Sequence, residues 1–266
     1  MTGTAARLRN ARVSGSAAKS PPSAQLEIAF RGRLRVGLMA GPIPSPFLVT
    51  VDPVTGQPCG VAVMLAETIG RELGLPVACL VHHRLADLDV GARTDTYDLA
   101  FLPVTAERKA QLAFGRPYFR FRNVMLARAS SDLRHMREVD RPGQTIAVQA
   151  GTVQAVQLAR QLRYAALMKL ESLEALSQAW ERKHIHVVAH AAPLLSTLQR
   201  RWADARLLAG HYSVTSLAVA VPRDRSQTLP LFDACVAAVR RDGRLAKAFA
   251  AAGLHPDGSV GIRPVK

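Results

Sequence analysis

Cysteine, aromatic residues and acidic charge are all scarce in this chain of 266 residues. Three cysteines, Cys59, Cys79 and Cys235, cannot all pair within one chain, and their spacings match no zinc or redox motif. Cys79, in Val77-Ala78-Cys79-Leu80, and Cys235, in an Ala/Val-rich stretch, read as buried thiols. A Cys59–Cys79 bridge stays open, and cysteine usage leaves the compartment undecided. Aromatics make up 5% of the chain, so small aliphatic side chains must build the core, and no aromatic-rich RNA-binding signature occurs. No apolar run approaches the length of a membrane-spanning helix. Asp and Glu number 20 against 35 Lys and Arg, giving a net charge of +15. That balance attracts anions. The arginines run from Arg7 to Arg263, often beside an acid, so nucleic acid is not expected as a partner. The densest cluster, Arg116, Arg120, Arg122, Arg128, Arg134, Arg137 and Arg141, reads as a solvated basic face. The chain has no Gly-x-Ser-x-Gly elbow, no phosphate loop and no His-Glu-x-x-His.

What is present is an alternation of strands and helices. Residues 1–25 carry Arg7, Arg9, Arg12 and Lys19 with Pro21-Pro22 and no apolar signal core, and read as a disordered basic tail. Leu34 to Leu38 is a first strand. Gly41 to Pro46 must be a loop, and Asp52 to Pro58 a turn. Val61 to Leu73 has helical period with Val61, Leu65 and Ile69 on one face, and Gly74 suits its C-cap. Strands follow at Val77–Val81 and Tyr97–Leu102, then at Asn123–Ala127. A second α/β cycle begins with the strand Thr145–Val148 and a helix from Val153 to Leu162. Then come a helix at Ser172–Trp180, a strand at Ile185–Ala189, a return strand at Leu217–Val221, and terminal helices at Thr228–Arg241 and Arg244–Ala252. Strand, helix, strand order argues for parallel sheets. Two such units joined by two crossings make a bilobal α/β protein: residues 26–125 plus 218–266 as one lobe, residues 126–217 as the other.

Thr105-Ala106-Glu107-Arg108 follows the apolar strand directly, where an open α/β sheet presents groups to a ligand. An arginine there can grip a carboxylate through two parallel charge-assisted hydrogen bonds. Thr105 either donates to the same carboxylate or caps the short helix. Gly151-Thr152 opens a helix, and free amides at a helix N-terminus favour anions.

The block from Asp98 through Thr105-Ala106-Glu107-Arg108 to Phe114-Gly115-Arg116-Pro117-Tyr118 resembles the polar-amino-acid, family 3, group of bacterial extracellular solute-binding proteins. Further support comes from Val36-Gly37, the Gly56 and Gly60 region, Val139-Asp140-Arg141-Pro142-Gly143, Ala147 to Thr152, and Arg241-Asp242-Gly243-Arg244-Leu245. The resemblance spans about Leu34 to Leu254. It implies a periplasmic-binding-protein-like type II fold and a monomer that carries a small carboxylate or amino-acid-like solute to the membrane permease of an ABC transporter, without cofactor or metal. It implies a periplasmic location, although residues 1–25 do not read as a secretory signal. It assigns the ligand carboxylate to Arg108 and Gly151-Thr152, with Phe47 and Leu85 as apolar contacts.

This chain departs from the pattern in four places. Gly115 replaces the usual serine. The segment from Asp98 to Thr105 is about two residues short, and Pro103 lacks an amide donor. Aspartates common near Ala62 and Met64 are missing. At the end of the strand Ile185–Ala189, where the family has an aspartate for the ligand ammonium, stands His190, and a neutral imidazole is the poorer partner for a cation. His184, His186 and His190 span too far along a strand for a metal site. Two other readings remain: a cyclohexadienyl-dehydratase-like enzyme, with Glu171 or Glu174 as the nearest acids, and a cytoplasmic ligand sensor.

Overall fold

The computed structural model describes residues 32–40, 49–52, 54–252 and 254; the basic tail and Phe47 lie outside them. In chain order the elements are β1 (Leu34–Met39), β2 (Thr50–Val51), β3 (Pro58–Cys59), α1 (Val61–Leu73), β4 (Val77–His82), α2 (Leu85–Arg93), β5 (Leu99–Pro103), α3 (Ala106–Lys109) and β6 (Leu112–Phe114). The long β7 (Phe119–Arg128) leads into β8 (Thr145–Gln149), α4 (Val153–Gln161), β9 (Ala166–Leu170), α5 (Leu173–Glu181), β10 (Val187–Ala191), α6 (Ala192–Arg201) and β11 (Ala205–Leu207). The long β12 (Ser213–Pro222) returns, followed by α7 (Leu229–Arg241) and α8 (Arg244–Ala251).

The strand order is β4-β1-β5-β12-β7-β10-β8-β9. At one end β4, β1 and β5 are parallel, and at the other β10, β8 and β9 are parallel. Each parallel set is a lobe with helices on both faces, which is why its strands read as nearly continuous apolar runs. In the first lobe α1, α7 and α8 cover one face, burying Leu65, Ile69, Phe232 and Phe249. Tyr97 and Leu88 fill the other face, and the Tyr97 hydroxyl donates to Leu88 O (2.9 Å). In the second lobe α4 contributes Ala155 and Leu158 to one face, and α5 and α6 contribute Trp180, Leu195 and Leu198 to the other. Trp180 stacks on Trp202 with ring centroids 4.7 Å apart.

The lobes meet where the two long strands pair. β7 and β12 run antiparallel with Phe119 opposite Leu217 and Asn123 opposite Ser213. Beyond this stretch β12 joins β5 in one lobe, and β7 joins β10 in the other.

Several boundaries differ from the sequence reading. β7 begins at Phe119 rather than Asn123, because Phe119-Arg120-Phe121-Arg122 alternates buried and exposed. β10 covers Val187–Ala191, two residues later than expected, so His190 lies inside the strand. β5 starts at Leu99 and reaches Pro103. Unforeseen elements are α2, α6, β2, β3, β6, β9 and β11. α6 escaped because Pro193 looks like a breaker, yet it occupies the first turn, where no amide is needed. Arg128 is not on a solvated face: it is buried, with its guanidinium 3.8 Å over the Trp180 ring and paired with Asp204. The three cysteines are free; Cys235 is buried and its thiol pushed up to about 11 by desolvation, whereas Cys79 is only half-buried.

Gly115 has a packing cause. A side chain there would run into the carboxylate of Asp233, which accepts the Arg116 amide through both oxygens at 3.1 Å. Gly115→Ser should therefore destabilise the fold by about 1–3 kcal/mol, and adding Asp233→Ala should recover part of that loss. Thermal unfolding of the single and double variants tests this; equal melting temperatures for the native and Gly115→Ser proteins would refute it.

Candidate functional site

A cavity of about 340 Å³ lies between the lobes. Met39, Leu85 and Pro103 from the first lobe and Leu173, His190 and Leu194 from the second face it, with Phe121, Thr215 and Leu217 of the crossing strands at its back. Its size and largely apolar wall suit a small organic solute.

One edge is the segment Gln149 to Gln154. Gly151 has φ 71°, a left-handed conformation that carries the chain from β8 into α4. Thr152 caps that helix: its Oγ1 accepts from Ala155 N (3.2 Å) and donates to Gln149 O (2.7 Å). The hydroxyl proton is thus already used. Among the described residues the amides of Thr152, Val153 and Gln154 at the helix start have no acceptor, and so suit an anion.

The same helix is tied to the crossing strands through a buried polar network. Gln154 Nε2 donates to Asn123 Oδ1 (2.7 Å), and Asn123 Nδ2 donates to Ser213 Oγ and Thr215 Oγ1 (2.8 Å each). Ser213 Oγ in turn donates to Gln157 Oε1 (2.7 Å). Asn123 is fully buried. A network of this kind holds one geometry, because each lost partner strands another polar group.

Arg108 and Thr105 do not line this cavity. They face an adjoining one, together with Asp89, Glu107 and Arg160, and the two spaces share Gly151, Thr152 and Val153. Arg108 reaches back to α2, donating from Nε and Nη2 to the two oxygens of Asp89 (2.8 and 3.1 Å). Its side chain is 12% exposed. A bidentate carboxylate grip is thus present, with Asp89 in the place where a ligand carboxylate would stand. Thr105 caps α3, accepting from Arg108 N at 3.2 Å. Glu107 pairs across the lobes with Arg160. Pro103 offers no donor, and the next amide, Val104 N, is taken by Ser216 O (2.9 Å).

His190 stands half-buried in the wall. Its Nδ1 accepts from Ala191 N at 2.8 Å. Burial pulls its pKa down to about 4, so the ring is neutral at pH 7. His184 and His186 are exposed on the chain entering β10 and share no site with it. Among the acids considered at the sequence level, Glu171 lies at the cavity, whereas Glu174 accepts from Gln178 on its own helix. Phe121, Leu217, Met39 and Leu194 were not anticipated as wall residues. The Phe119-to-Arg122 alternation could have located Phe121.

The lowered histidine pKa sets a pH dependence. From its ordinary value of 6.5 down to about 4, the unfolded chain binds a proton that folded His190 refuses, so stability is full above pH 6.5 and declines as pH falls through this window. His190→Gln should lose less stability between pH 7 and pH 5 than the native protein, by about 2 kcal/mol. Urea unfolding at the two pH values measures this, and parallel losses in both proteins would refute it.

Among curated proteins no sequence relative is found. Solved structures are similar in fold. The solute receptor for L-cysteine of Neisseria gonorrhoeae is 23% identical with a TM-score of 0.75, covering 91% of this chain and 96% of its own. A P235GK mutant of ArgBP from T. maritima is 24% identical with a TM-score of 0.72, covering 86% and 98%. An ancestral amino-acid-binding protein, a precursor of cyclohexadienyl dehydratase, is 22% identical with a TM-score of 0.72, covering 85% and 97%. These likenesses agree with two α/β lobes of the type II periplasmic-binding-protein fold. The profile of the bacterial extracellular solute-binding proteins, family 3, matches residues 36–251, and this chain, with its two lobes hinged on β7 and β12 about a shared cavity, belongs to that family.

Proposed function

We propose that this protein is the periplasmic binding component of an ABC-type transporter. It captures a small carboxylate or amino-acid-like solute between its lobes by hinge closure and presents the closed form to a membrane permease. No chemical step is involved. The observation that carries this reading is the cavity formed jointly by both lobes, with the amides of Thr152, Val153 and Gln154, which have no acceptor among the described residues, at its edge. Amides at the positive end of a helix are suited to a carboxylate.

Arg108 is assigned to the same carboxylate from the far side of Gly151-Thr152. To serve it, the guanidinium must exchange Asp89 for the solute. Both partners are carboxylates and both grips are bidentate, so the exchange replaces one charge-assisted pair by another of like kind. Asp89 then acts as an internal competitor that keeps the mostly shielded arginine paired while the cleft is empty.

A thermal-shift screen against amino acids, oxo acids and dicarboxylates tests the reading, since a ligand specific for the native fold raises the melting temperature. Arg108→Ala should weaken the best hit by about tenfold or more. Asp89→Asn, which removes the competitor, should tighten it several-fold. Equal affinities in the native protein and both variants would remove Arg108 from the site, and no shift by any carboxylate would overturn the binding function itself.

A further inference from the structure

The hydrogen-bond polarity of the cavity wall narrows the solute class. The inference rests on the solute-binding reading above. His190 Nδ1 is occupied as an acceptor by the Ala191 amide at 2.8 Å. A neutral imidazole with an accepting Nδ1 carries its proton on Nε2. No protein partner for Nε2 is found among the described residues, and the ring lies in the cavity wall. It therefore offers the cavity a donor.

The edge across from it offers donors too. Among the described residues the amides that open α4 have no acceptor, whereas the Thr152 hydroxyl proton is given to Gln149 O. Gln154 has its Nε2 on Asn123, and Thr215 Oγ1 accepts from Asn123. The carboxylate in the wall, Glu171, is exposed at the rim rather than set among the buried apolar residues. An α-ammonium group placed beside β10 would meet the N–H of His190 and no buried carboxylate. A carbonyl oxygen there would accept from Nε2. His83, Arg84 and Gln149 also face the cavity, and the apolar part of the wall, with Met39, Leu85, Phe121, Leu173, Leu194 and Leu217, suits an aliphatic tail.

We infer that His190 is the specificity-determining residue of the cleft and that it selects 2-oxo acids with an apolar side chain over the α-amino acids of the same skeleton, the carboxylate lying at the start of α4 and the 2-oxo oxygen on His190 Nε2. The two ligand classes differ only at the atom that His190 reads. A site whose buried donor is left unpaired by the wrong ligand discriminates strongly.

Calorimetric titration of the native full-length protein with matched pairs provides the test: pyruvate and alanine, 3-methyl-2-oxobutanoate and valine, 4-methyl-2-oxopentanoate and leucine. The oxo acid of the best-binding pair should bind at least about tenfold tighter than its amino acid. His190→Asp should reverse that order, and His190→Gln, which keeps a donor, should retain it. Thermal unfolding confirms that both variants are folded before titration. If leucine or valine binds the native protein as tightly as its oxo acid, or if His190→Asp leaves the order unchanged, the specificity assignment is overturned while carboxylate binding stands. If no member of any pair binds and other carboxylates do, the assignment also falls. If no carboxylate binds at all, the solute-binding reading falls with it.

Discussion

The antiparallel pairing of β7 with β12 is the constraint on which the molecule depends. Among the described residues, Phe119 to Asn123 and Ser213 to Leu217 are what the two lobes share as continuous sheet. Each strand spends one half in one lobe and one half in the other, so the lobes are joined by main-chain hydrogen bonds rather than by a flexible linker. Such a joint bends by small changes of twist along two strands and not by unfolding. The buried network on Asn123 adds direction to that bend. It connects both crossing strands to α4, the helix that opens at the cavity edge. A solute bound at that edge is therefore mechanically close to the joint that must move around it.

A second theme is the use of arginine. The chain is strongly basic, yet many of its guanidiniums are internal fasteners. Asp98 is buried and holds Arg35 from β1 (2.8 Å) and Arg225 (3.1 Å). Arg206 donates to the carbonyls of Ala129, Ser131 and Leu133 and so fixes the loop after β7. Arg128 crosses the interior of the second lobe between Asp204 and the Trp180 ring. Arg108 with Asp89 is the member of this set that sits beside a cavity. Planar, always charged and multiply donating, arginine can satisfy several acceptors at once. In a chain with few aromatics, these forks supply ties across long sequence distances that aromatic packing would otherwise provide.

The elements with strong period or clear punctuation were legible in the sequence. Val61 to Leu73 shows an apolar stripe ending at Gly74, and the structure has that helix with those bounds. Thr145 to Val148, and the helix from Val153, were equally plain. Short or partly exposed elements were not. β9, Ala166-Leu167-Met168-Lys169-Leu170, is an edge strand whose residues are half-buried or exposed, so it carries no period-two signal. α2 is interrupted by Gly91 and buries little of its length. The displacement of β10 by two residues came from reading Ile185 as a strand residue. Ile185 is buried in the hydrophobic core just before the strand, and burial alone does not distinguish a strand from the turn that precedes it.

By itself, the sequence determined that two α/β units are joined by two crossings, that Gly151-Thr152 opens a helix, and that Thr105 to Arg108 follows a strand end. These are local properties, fixed by period, by glycine's conformational range and by the capping chemistry of threonine. Only the tertiary structure decided which of these groups face one another. Arg108 turns toward Asp89, because α2 lies beside α3 and brings a carboxylate within 2.8 Å. His190 turns an accepting Nδ1 to its own chain, and its neutral state follows from burial between two lobes. The identity and spacing of residues are written in the chain, but the partner that a charged or titratable group finds depends on elements far away in sequence, and that partner sets what the site can hold.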